Sequence, residues 1–67
     1  MEVGAKVRVV NENGNVIAVG TYHGTGRPAK NLNAQYPKMD HYAVFVDGTM
    51  RYYPTGLNTL TPAAFNE

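Results

Sequence analysis

Side chains able to do chemistry are few in this chain of 67 residues, and they are loosely spaced. His23, Asp40 and His41 flank a stretch with no periodicity, which sets them near one end of whatever the neighbouring strands build. Two imidazoles and a carboxylate without helical i,i+4 spacing do not compose a metal site, so no metal is assigned. The chain contains no serine and no cysteine, which removes the usual acyl-transfer nucleophiles. Its carboxylates lie in turns or near the ends (Glu2, Glu12, Asp47, Glu67), leaving no pair for acid–base work. Gly24-Thr25-Gly26-Arg27-Pro28-Ala29-Lys30 is rich in glycine but lacks the phosphate-loop spacing and a following helix. The expectation is a protein that is not an enzyme and carries no cofactor. Arg27, Lys30, Tyr36 and Lys38 form a basic loop able to grip a single nucleic-acid strand by stacking and charge. At a formal charge of +1 that grip is weak and salt-sensitive.

The elements around these residues are strands. Val3, Ala5, Val7 and Val9 alternate with Lys6 and Arg8, the period of a strand with one buried face. Asn13-Gly14 then separates this run from Val16–Tyr22, a strong hairpin signal. A three-residue loop, Glu12-Asn13-Gly14 with Gly14 left-handed, pairs Val9 with Ile17 and Val7 with Val19. A two-residue turn pairs Val9 with Ala18 and Val7 with Gly20, which turns Ile17 and Val19 to solvent. The first register gathers the large side chains on one face and is preferred. From 23 to 40 glycines and prolines break every pattern, and a long loop between strands 2 and 3 is expected. A second hairpin follows, His41–Val46 and Thr49–Tyr53 around an Asp47-Gly48 type I′ turn. It pairs Val46 with Thr49, Val44 with Arg51, and Tyr42 with Tyr53. Pro54-Thr55-Gly56-Leu57 makes a tight turn before a last strand near 58–61.

Five short strands in this order imply an all-β, SH3-like barrel over residues 1–61, with a tail over 62–67 that is frayed or lightly docked through Phe65. The expected core is Val3, Ala5, Val7, Val9, Ile17, Val19, Ala43, Phe45, Met50, Tyr52, Leu57 and Leu60. The opposite face of the second hairpin then presents Tyr42, Val44, Arg51 and Tyr53, residue types that concentrate binding energy. A protein partner or a second copy of the chain is the expected ligand of that patch.

A hydrophobic content of 43% with low charge marks a globular chain. No stretch approaches the roughly 20 apolar residues of a membrane span, and Met1-Glu2-Val3-Gly4 lacks the basic and apolar regions of a signal peptide. Without cysteines a cytoplasmic setting is expected, with no membrane partner.

The run Tyr42-Ala43-Val44 through Gly48-Thr49-Met50-Arg51-Tyr52-Tyr53-Pro54 to Leu57 resembles the plasmid-borne type II dihydrofolate reductases. Gly4-x-x-Val7-Arg8, Val16-Ile17 and Gly20-x-Tyr22 add to the likeness, which spans about two-thirds of the chain. The resemblance implies an SH3-like chain, a tetramer around a shared pore, and NADPH as ligand. Met50-Arg51-Tyr52-Tyr53 stands where the family has Val-Gln-Ile-Tyr, and the family's cofactor-binding lysine falls near Val9. The polar groups that orient the family's substrates are therefore missing, and the likeness speaks for the fold rather than the catalysis. The leading expectation is a small adaptor or inhibitor module of the phage- or plasmid-encoded kind, with the reductase-like pore and the nucleic-acid binder as alternatives.

Overall fold

A computed structural model describes residues 1–63. It contains five antiparallel strands: β1 Lys6–Asn11, β2 Val16–Gly26, β3 His41–Val46, β4 Thr49–Pro54 and β5 Asn58–Pro62. They form one sheet in the order β4-β3-β2-β1-β5. A single 3₁₀ turn, Lys30–Leu32, interrupts the 27–40 connection. No helix among the described residues is long and apolar enough to cross a membrane.

β2 organises the sheet. Its first half pairs with β1, its second half with β3, and the two ladders share only Thr21. Such a stagger forces the sheet to coil, as its right-handed twist requires. The coil is tight enough that β4 and β5, on opposite edges, are joined by Thr55-Gly56-Leu57 alone. That turn is fixed by Leu57 N–H donating to the Pro54 carbonyl at 3.2 Å and Thr55 N–H to the Asp40 carbonyl at 2.9 Å. The Asn58 side-chain amide also donates to the Pro54 carbonyl, at 3.1 Å. No ladder joins β4 to β5 among the described residues, so the sheet is strongly curled but open. This small five-stranded arrangement is compatible with an SH3-like fold; the closed barrel expected from the sequence is not what the strand pairing gives.

Both hairpins bear on which side chains are inside. Around Asp47-Gly48 the φ angles are +49° and +82°, as a type I′ turn needs, and β3 and β4 pair in the register expected from the sequence. The first hairpin follows expectation only at its tip. Gly14 is left-handed at φ +82°, and Asn11 N–H donates to the Asn15 carbonyl at 2.9 Å. The Asn11 side-chain oxygen accepts the N–H groups of Asn13 and Asn15, each at 3.0 Å. Beyond Val10↔Val16, however, a bulge leaves Ile17 unpaired, and Val9 meets Ala18 while Val7 meets Gly20. One extra residue shifts the remaining ladder by one position and turns the strand over.

The core is therefore not the expected one. Val7, Val9 and Val44 are fully buried, joined by Tyr22, with Ala5, Ala18, Tyr42, Val46, Tyr53 and Leu60 packed around them. Val3, Ile17, Val19, Phe45 and Tyr52, all expected inside, stand exposed. Val3 is lost because the chain turns at Gly4, whose φ is +96°. At Gly20 the two halves of the sheet come so close that a Cβ would lie 2.2 Å from the Phe45 carbonyl oxygen. Only glycine fits there, and this crowding explains why β2 turns its small residues inward. The expected docking of Phe65 lies outside the described residues.

Candidate functional site

The sheet has an inner face that closes the core and an outer face that nothing covers among the described residues. On the inner face the cross-strand pairs Tyr42↔Tyr53 and Val44↔Arg51 stand in line. Val44 is wholly buried, and Tyr42 and Tyr53 are half-buried against the core. Of the expected patch Tyr42, Val44, Arg51 and Tyr53, Arg51 on the edge strand is exposed, Tyr42 and Tyr53 are partly exposed, and Val44 between them is buried. Burial raises the Tyr53 phenol above its ordinary value of 10.0, and the Arg51 charge pulls it partly back.

The outer face carries what the core lacks. Thr21 faces Phe45, Phe45 faces Met50, and Ala43 faces Tyr52 along the ladders of β2, β3 and β4. Val19 lies two residues from Thr21 on the same side of β2, opposite Arg8. Phe45 is 42% exposed, Tyr52 43%, Val19 43%, Ile17 49% and Val16 53%. His23, bulged out of β2, sets its ring 6.1 Å from that of Phe45 at an angle of 56°. Apolar residues scattered singly over a surface need no explanation, but aromatic and branched side chains grouped on one sheet face mark a place where something binds.

A second feature lies along β4. The 27–40 connection passes beside this edge strand and leaves a cleft of about 480 Å³, with Pro28, Leu32 and Gln35 on one side and Met50–Pro54 on the other. His41 lines it from below; it is 4% exposed, and its Nδ1–H donates to the Met39 carbonyl at 2.8 Å. The basic residues expected to act together are split. Arg27 and Lys30 line one hollow, Tyr36 and Lys38 another. Arg27 is also engaged, its Nε donating to Asp40 Oδ1 at 3.1 Å, although both partners are exposed and the pair adds little stability. No group of three or more metal-ligating side chains occurs among the described residues.

No family model, curated protein or solved structure matches the chain. The site must speak through its own chemistry. Sequence reasoning missed the outer face because it followed hydrophobicity, which sent Phe45 and Tyr52 inward. The signal that could have found it is Ala18-x-Gly20 in β2, two small residues spaced to lie on one side of a strand where a thin core demands them.

Proposed function

We propose that this chain is a small, non-catalytic binding module that pairs with a second copy of itself through the outer face of its sheet. One observation carries the reading: the aromatic and branched side chains Phe45, Tyr52, Val19, Ile17 and Val16 stand outside, while among the described residues the largest fully buried side chains are three valines. A single core in a domain of this size supplies only about 3–5 kcal/mol, and disulfides, a metal or self-association commonly add to it. The chain has no cysteine, and its described residues hold no metal-ligating cluster. Self-association would add to the core by burying the residues left out. Size supports the same occupant. A standard interface takes about 800 Å² from each partner, roughly one whole side of a molecule measuring 36 × 25 × 20 Å.

Sedimentation equilibrium across a concentration series tests this. The mass should rise from 7.3 kDa toward twice that value, and Phe45→Lys should hold it at the monomer. A chain that stays monomeric at every concentration removes the reading. A pore-forming tetramer of the type II reductase kind is the second reading, favoured by a strand order compatible with an SH3-like fold. It requires a fourfold mass and NADPH binding in the same samples.

A further inference from the structure

The free edge of β4 is a second, independent place for a partner. Around a two-residue turn the first pair, Val46↔Thr49, is the hydrogen-bonded one, and the pattern alternates from there. Thr49, Arg51 and Tyr53 therefore point their backbone groups at β3, while Met50, Tyr52 and Pro54 point theirs away from the sheet. Proline has no N–H, and its carbonyl already accepts from Leu57 and Asn58. What remains is the N–H and C=O of Met50 and of Tyr52, with no partner strand among the described residues. These groups open onto the cleft walled by Pro28 and Leu32, a ready position for one more strand.

We infer that the β4 edge binds an extended peptide segment of a partner protein as a sixth strand, one with an acidic residue between two apolar ones. Alternation dictates the pattern. The peptide residues opposite Met50 and Tyr52 lie on the outer, apolar side, and the one between them lies opposite Arg51 on the other. Arg51 is exposed and lines the cleft, and it favours a carboxylate at that position. The same geometry disfavours a second β4 as occupant. An antiparallel pairing that uses the edge groups of both Met50 and Tyr52 in each copy sets Arg51 directly against its own counterpart, and facing like charges destabilise a ladder. Main-chain bonds then supply affinity, and the central charge supplies selection.

A capped Thr-Val-Glu-Val-Thr peptide, with Thr-Val-Lys-Val-Thr as control, titrated into the ¹⁵N-labelled full chain tests the inference by NMR. The amides of Met50 and Tyr52 should move downfield with the Glu peptide, and the Lys peptide should bind at least about tenfold more weakly, the factor equivalent to one well-formed charge contact. Arg51→Glu should reverse that order. Tyr52→Pro, which deletes an edge N–H without touching the β3 ladder, should abolish the shifts. Equal binding of both peptides, or no movement at Met50 and Tyr52, overturns the inference. So does movement of those amides with chain concentration alone, which would name a second copy as the occupant. Self-association through the outer face is read separately, from the mass, so the two proposals fail independently.

Discussion

Adjacent residues in β3 have opposite fates, and the smaller one carries the fold. Val44 is fully buried and Phe45 stands 42% exposed, so Val44→Ala should cost about 2 kcal/mol and Phe45→Ala less than about 1 kcal/mol. Urea denaturation of the two variants at low concentration decides this. Hydrophobicity ranks them the other way, which is why the core was misread: the alternation of β3 was legible, but its sign was not. Gly20 settles that sign. Gly20→Ala should destabilise by about 3 kcal/mol or prevent folding, since the new methyl would meet the Phe45 carbonyl rather than a yielding side chain. Tyr53 gives a check in pH. Its phenol titrates above 10.0 in the folded chain and near 10 when unfolded. Its contribution is thus whole below about pH 10 and lost as the pH climbs through the folded value. Tyr53→Phe should show a shallower fall in stability than the parent between about pH 9 and 11.

Among the elements, the hairpin at Asp47-Gly48 was legible to the residue because a two-residue turn with both φ angles positive admits one register. The hairpin at Asn13-Gly14 was legible at its tip and misread beyond it. Its loop closes as expected, yet the bulge at Ile17 passes the rest of β2 to the alternative register. Nothing at Val16-Ile17 announces a bulge, for no glycine marks it, and its cause lies across the molecule where β2 must present Gly20 to β3. Removing Ile17 should restore an unbroken ladder with the same partners, Val9↔Ala18 and Val7↔Gly20. The deletion is expected to shift the urea midpoint by the equivalent of about 1 kcal/mol or less. Deleting Val19 instead also keeps Gly20 opposite Val7, but it puts Ile17 in the inward place of Ala18, and the overpacking should cost more, about 1–3 kcal/mol.

At the scale of the whole molecule, the five strands were legible in chain order from turn chemistry and alternation, but the sheet order was not, and β2 runs on to Gly26 where a loop from 23 was expected. The openness of the sheet was not legible either, because closure depends on how far it coils. The face assignment of the second hairpin was reversed, and the exposed outer face follows from a mismatch of sizes: valines and small residues inside, aromatic rings outside. That inversion is a whole-molecule property, set by how little volume five short strands enclose. A melting temperature that climbs with protein concentration, and ceases to do so in Phe45→Lys, would follow from coupling between folding and association.

The pairing of β1 with β5 has a consequence for how the chain comes into being. Val7 waits for Pro62 and Asn11 for Asn58, so β1 finds its outer neighbour only when almost the last described residues have left the ribosome. At roughly 5–20 residues per second, β1 and β2 spend seconds as a hairpin with one raw border. Over that interval the nascent protein is most exposed to chaperones and to its neighbours on the same message.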